Sequence, residues 1–334
     1  MLEREAILLV RLDGVGDAAL CVPALEGMRR AFPDASFGAV CSNANASLFS
    51  DRIAHIHVYD DEEPVTTLRS ALREQGYTRA LIATEEVAGY QLGRLSGAAR
   101  RAGFWHGLQK PFKSLWQRMQ VTAPVYRPAA WTPSPEHEVT TLYRLAEVLG
   151  ARAPAPVEPQ DLRNWLRVER SDLTRPAEGA LAFQITPKLL TGGWGPTTIA
   201  QLASVALEAS GRNTAVLLAS AQDEALACSV LGHMPASVAR HVEVLASLTL
   251  PRWLGALDCA AALVTPDTGA AHVAGMLGAG VVDLFDEADF ERLSQQWHPW
   301  AGLSRCLVKS VWLSGLEENL GRQIGEAVRT VTTK

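Results

Sequence analysis

The chain has 334 residues, 48% of them hydrophobic and 20% charged, with a formal net charge of −5 at pH 7. That length suggests two domains, the apolar fraction suffices for well-packed cores, and the acidic balance argues against general nucleic-acid binding. The five cysteines (Cys21, Cys41, Cys228, Cys259, Cys306) are scattered with no C-x-x-C pair, so neither a zinc site nor a disulfide framework is indicated.

Residues 6–12 are an apolar run that reads as a buried strand, and 17–32 are helical in period up to Pro33. Strands follow at 36–41 and 55–59, then an amphipathic helix at 65–74 and a strand at 79–84. Residues 104–135 break the pattern. Trp105, Trp116 and Trp131 mix there with Lys110, Lys113, Arg118 and Arg127, and the segment reads as a long loop holding at most one short helix. A helix at 136–149 stops at Gly150. The proline-rich stretch ARAPAPVEPQ, 151–160, reads as a linker.

After it the alternation restarts. Strands are expected at 180–185, 214–219, 261–264 and 281–285, and helices at 197–209, 221–231, 250–260, 268–277 and 316–330. Such alternation means parallel strands with crossover helices, in one α/β domain over 1–160 and another over 161–334. No apolar segment approaches the roughly 18 residues that a membrane span needs, so any membrane contact would be peripheral. The start, MLEREAILLVRLDG, is too acidic for a signal peptide, and a cytoplasmic protein is expected.

Three turns carry candidate chemistry. In LVRLDGVGDAALCVPA, residues 9–24, Gly14, Gly16 and Ala19 fit the G-x-G-x-x-A dinucleotide fingerprint. Asp17 would put a negative charge where a pyrophosphate belongs, and the second strand ends in Val40-Cys41-Ser42-Asn43 with no carboxylate for a ribose. Asp17 therefore either caps the helix or, ionised at the positive end of the helix dipole, accepts a proton from a substrate hydroxyl. Asp13 reads as a turn residue.

In LVTPDTGAAHVAGMLG, 263–278, Asp267, Thr268 and Gly269 open a helix at the carboxyl end of a strand, and His272 lies one turn in. Taken alone, His272 suits a core position; with Asp-Thr-Gly it points to an anion site. In FQITPKLLTGGWGPTT, 183–198, Thr186 ends a strand and Lys188 could neutralise a diphosphate or merely be solvated. Asp223 could accept ribose hydroxyls or simply start a helix.

Together these pieces resemble glycosyltransferase family 9, the ADP-heptose:lipopolysaccharide heptosyltransferase type. The resemblance rests on ILLVRLDGVGDAALCVPALEGMRRAFPDA (7–35), with Arg11, Gly16, Asp17, Pro23, Leu25, Phe32 and Pro33 on the family pattern. It also rests on ARRAGF (99–104), EHEVTTLYRLAEVLG (136–150) and PDTGAAHVAGMLGAGVVDLF (266–285).

The resemblance implies a GT-B architecture: two Rossmann-like α/β domains facing across a cleft, with the last helix packing back on the first. It implies inverting transfer without an essential metal, with an ADP-linked sugar as co-substrate and no bound cofactor. Asp17 would be the general base. The donor side would hold Thr186, Lys188, Asp223, Asp267, Thr268, Gly269 and His272. The acceptor side would hold Arg11, Gly16, Arg101, Lys110 and Lys113.

The expected partners are a nucleotide-sugar donor and a glycolipid or other glycan acceptor, with peripheral contact at the inner membrane left open. Other readings are a transferase for a different nucleotide sugar or a small soluble acceptor, and a catalytically silent nucleotide-sugar binder. Two features depart from the family pattern. Gly192 and Gly193 stand where a cation usually precedes the tryptophan (Trp194), and Asp286-Glu287-Ala288 stand where G-P-T is usual.

Overall fold

The structure is a computed structural model that describes residues 4–128 and 136–332. Trp131, one of the three tryptophans of the 104–135 segment, lies outside the described residues. The described residues form two six-stranded sheets. The first contains β1 (Ala6–Arg11), β2 (Ser36–Cys41), β3 (His55–Val58), β4 (Arg79–Ile82), β5 (Arg100–Trp105) and β6 (Ala123–Tyr126). The second contains β7 (Leu181–Gln184), β8 (Ala215–Ala219), β9 (Val242–Ala246), β10 (Ala262–Pro266), β11 (Gly280–Asp286) and β12 (Ser304–Lys309).

Every pairing is parallel, in the orders β3-β2-β1-β4-β5-β6 and β12-β11-β10-β7-β8-β9. The two sheets thus share one topology. In each, the winding reverses between the first strand in sequence and the fourth, β1/β4 and β7/β10. Ligands of open α/β sheets bind at the carboxyl ends of such strand pairs. The central strands are buried along their whole length, as parallel strands covered on both faces require.

The helix expected over 17–32 is two helices, Val15–Ala19 and Val22–Ala31. Pro23 explains the break, because it has no N–H for the Ala19 carbonyl and its ring crowds that group. Residues 104–135 also differ from the loop expected. They hold the end of β5, a ten-residue helix Pro111–Gln120 and the edge strand β6. Pro124 is tolerated in β6 because an edge strand needs only one ladder.

The chain divides into two compact units, residues up to 157 with Asn164–Arg167, and Glu158–Arg163 with 168 onward. The proline-rich stretch is therefore not a simple linker ending at 160. The chain re-enters the first unit at Trp165, which is fully buried and donates from Nε1 to Glu26 Oε2 at 3.1 Å. Glu26 is itself buried and is bound by Arg29 at 2.8 Å and Arg30 at 3.0 Å.

The last helix, Leu316–Thr332, belongs to the second unit, where Leu320, Ile324, Val328 and Val331 join the core of the second sheet. Within that unit it packs on helix Pro196–Ser210. Gly321 and Gly325 permit that approach. A Cβ on Gly325 would lie 2.4 Å from the Ala209 Cβ. Gly325→Leu should therefore overpack this interface and cost about 1–3 kcal/mol, read as a lower Tm by circular dichroism.

Candidate active site

At the β1/β4 switch point the chain turns through Asp13 and Gly14 into helix Val15–Ala19. Gly14 is the N-cap, so Asp17 is the third helical residue, not the cap. Its side chain is 39% exposed, and Arg11 Nη2 donates to its Oδ1 at 2.9 Å. Arg11 Nε lies 2.9 Å from Asp13 Oδ2, and Nη1 donates to the Ala83 carbonyl after β4. The turn is pinned from behind by the buried Asn45, whose Nδ2 donates to the Asp13 carbonyl at 2.7 Å.

Arg11 is only 7% exposed. Its guanidinium is engaged by the Asp13 and Asp17 carboxylates and the Ala83 carbonyl. Gly16 precedes Asp17 on the same turn, and its carbonyl accepts from Leu20 N at 3.0 Å.

A second cluster sits beyond β4. Glu85 is surrounded by His106 Nε2 at 3.0 Å, Lys113 Nζ at 3.3 Å, Arg127 Nε at 3.4 Å and Lys110 Nζ at 3.7 Å. Burial opposes ionisation of Glu85, but the charges of His106, Arg127, Lys113 and Lys110 outweigh it and hold the carboxyl below its ordinary value. Arg127 also forks onto the buried Glu138, at 2.9 and 3.1 Å. Lys110 and Lys113 are thus brought together around Glu85 on the carboxyl-end side of the sheet.

Arg101 is not brought there. It is the second residue of β5, at the opposite end of the sheet, and it donates to the Ala98 and Gln120 carbonyls at 2.6 and 2.9 Å. Glu85, His106 and Glu138 were not singled out from sequence. Each lies in a different element, and only the fold unites them.

In the second unit, Thr186 caps the segment after β7, its Oγ1 accepting from Lys188 N at 3.3 Å. Lys188 Nζ reaches across the β7/β10 switch point to Asp267, 3.0 Å from Oδ2 and bonded to its carbonyl oxygen. Thr268 is the N-cap of helix Gly269–Leu277, but its hydroxyl pairs with Thr265 Oγ1 at 2.9 Å and makes no cap bond. The first N–H groups of that helix open beside Lys188, which is 43% exposed, an arrangement able to attract an anion. His272 is buried one turn in, its ring 6.3 Å from that of Trp297. Asp223 follows β8 and accepts from Ser220 Oγ at 2.8 Å, a helix-start arrangement.

A cation from another strand lies near Trp194. Lys309, at the end of β12 and 4% exposed, donates to the Thr191 carbonyl at 2.8 Å and to Asp286 Oδ1 at 3.1 Å. Its Nζ lies 5.8 Å from the Trp194 ring centroid. Asp286 is therefore charge-matched. The double-glycine turn, Gly192 and Gly193 at φ 73° and 83°, lets the loop fold onto this lysine. Among the described residues no group of three or more His, Cys, Asp or Glu side chains is placed to hold a metal ion.

Asp283 is wholly buried in the middle of β11. Burial, and after it the neighbouring Asp267, push its carboxyl well above the ordinary value, with Lys188 pulling the other way. The folded state then holds a proton that the unfolded state releases, so this residue subtracts stability as pH rises from the unfolded carboxylate range toward the folded value. Asp283→Asn should remove that dependence. The Tm difference between variant and parent should grow in the variant's favour as pH is raised from acid to neutral.

Residues 177–314, the greater part of the second unit, match the family model for glycosyltransferase family 9 (heptosyltransferase). This chain resembles glycosyltransferase family 9. No curated protein sequence matches it.

Among solved structures, a family 9 glycosyl transferase from Veillonella parvula DSM 2008 superposes with a TM-score of 0.74 at 17% identity, covering 99% of this chain and 98% of the other. The E. coli ADP-heptose LPS heptosyltransferase II gives 0.74 at 16% identity, covering 98% of each chain. E. coli heptosyltransferase WaaC with ADP gives 0.74 at 18%, covering 97% of this chain and 99% of that one. At these identities the likeness establishes the fold: the two-domain α/β GT-B fold of the family 9 heptosyltransferase structures. The family match spans Thr186 through Lys309 and does not include Asp17.

Proposed function

We propose that this protein is an inverting glycosyltransferase that moves a sugar, heptose from ADP-heptose, to a hydroxyl of a lipopolysaccharide-core glycolipid or a related glycan. The observation that carries this is the family 9 match over the unit that holds the Lys188–Asp267 corner. E. coli WaaC, which shares the fold, has been solved with ADP and with ADP-2-deoxy-2-fluoro heptose, which supports an ADP-linked donor.

In this reading the acceptor oxygen attacks the anomeric carbon from the side opposite the diphosphate. The new C–O bond forms as the bond to the β-phosphate breaks, and its electron pair leaves with ADP. Asp17 takes the acceptor's proton, held in place by Arg11. Lys188 and the N–H groups that open helix Gly269–Leu277 take up the charge growing on the diphosphate. Lys110 and Lys113 meet anionic groups of the acceptor.

A thermal-shift panel tests the donor. A nucleotide at 100 times its Kd raises stability by about 2.7 kcal/mol. ADP and ADP-sugars should raise Tm more than their UDP and GDP counterparts. A larger shift with uridine nucleotides would count against heptosyl transfer.

A further inference from the structure

Helix Pro111–Gln120 is amphipathic the wrong way round for a helix of a water-soluble surface. Phe112, Leu115 and Met119, spaced i, i+3 and i+7, form one stripe, and it faces out at 89, 64 and 67% exposure. Leu108, in the preceding turn, extends it at 94%. The side turned into the protein is polar: Ser114, Gln117 and Gln120 are 3, 0 and 5% exposed. Among the described residues neither amide atom of Gln117 has a hydrogen-bond partner. Trp105 and Trp116, by contrast, are half-buried. Trp105 packs on Tyr126 and Trp116 on Tyr90, at 5.9 and 5.8 Å.

Basic groups flank the stripe. On one side Arg118 lies over the Trp105 ring at 4.9 Å. On the other is a groove of about 720 Å³, whose walls include Arg69, Arg73 and Arg94 with Gln91 and the helix's own Trp116 and Gln120. No described helix is long and apolar enough to cross a membrane. We propose that this helix docks the protein on an anionic lipid surface, the apolar stripe entering the headgroup–acyl boundary and the three-arginine groove taking a headgroup phosphate. A single apolar stripe edged with basic side chains is the pattern of interfacial helices, and basic residues near such a surface gain from its negative potential. The basic groups on both flanks complement an anionic lipid surface, whereas a second copy seated on the same face would bring like charges against them. The inference deepens the proposed glycolipid acceptor by bringing Lys110 and Lys113, which adjoin the stripe, to the surface where such an acceptor resides.

Flotation of the full chain with phosphatidylglycerol–phosphatidylcholine vesicles, and with vesicles of phosphatidylcholine alone, tests it. The parent should float with the anionic vesicles. Phe112→Ser/Leu115→Ser/Met119→Ser should cut the bound fraction at least about tenfold, as expected when the buried apolar area is lost. Arg69→Gln/Arg73→Gln/Arg94→Gln should abolish the preference for anionic vesicles, as should high salt. Both variants alter exposed positions and should keep the parent's melting curve and ADP-induced Tm shift. That shift is read separately, so failure of the donor assignment leaves the vesicle result standing. Absence of flotation by the parent overturns the proposal, as does equal flotation by the serine variant. A parent dimer that the serine variant dissociates also overturns it, since a second copy would then cover the stripe.

Discussion

Asp17→Ala should lower kcat by about 10²- to 10⁴-fold, the range for loss of a positioned general base, while leaving ADP binding at the parent level. The expectation follows from where the residue sits. The carboxylate is 39% exposed at a switch point, close enough to Arg11 for a 2.9 Å bond. Removing it leaves Arg11 paired with Asp13 and the Ala83 carbonyl, so the turn should keep its shape and the protein its Tm. Asp17→Asn should behave like the alanine variant, because an amide keeps the hydrogen bond from Arg11 but cannot take the proton. Steady-state kinetics beside an ADP thermal shift separate this from a folding defect. Parent-level turnover in either variant would remove Asp17 from the chemistry.

Lys188→Ala should weaken ADP and lower kcat/KM for the donor by about 10- to 150-fold, which corresponds to losing one charge-assisted hydrogen bond of about 1.5–3 kcal/mol. Lys188 is 43% exposed and its ion pair with Asp267 is an open one. Such pairs contribute at most about 1 kcal/mol to stability, so Tm without nucleotide should hardly change. The variant also leaves the Asp267 carboxylate facing the diphosphate without its cation, which adds to the loss. Calorimetry with ADP and initial rates against donor concentration check both effects. An unchanged affinity for ADP would place the diphosphate elsewhere.

Much of this arrangement was legible in the sequence, for reasons tied to particular residues. The central strands are continuous apolar runs because both faces are covered, and periodicity finds them. The edge strands β6, β9 and β12 escaped, since SRCLVK and APVY are short, half-buried and carry polar residues or proline. The split at Pro23 was readable from the missing N–H, yet the apolar period ran through it. Thr186, Lys188, Asp267 and Thr268 follow adjacent strands, so their meeting is a consequence of topology. Glu85 with His106, Lys110, Lys113 and Arg127, and Lys309 with Asp286 and Thr191, join elements far apart in the chain and left no local pattern. The place of Arg101 at the amino end of β5 was not legible, because a motif match says nothing about which end of a strand a side chain occupies. The outward stripe of Phe112, Leu115 and Met119 escaped because a segment read as a loop has no helical face to assign.

The most direct test of the account is the anomeric configuration of the product. The parent enzyme, ADP-heptose and a lipopolysaccharide-core acceptor should yield free ADP and a new glycosidic bond whose configuration, read by NMR, is opposite to that of the donor. Retention of configuration, or transfer from UDP-sugars and none from ADP-sugars, would contradict it.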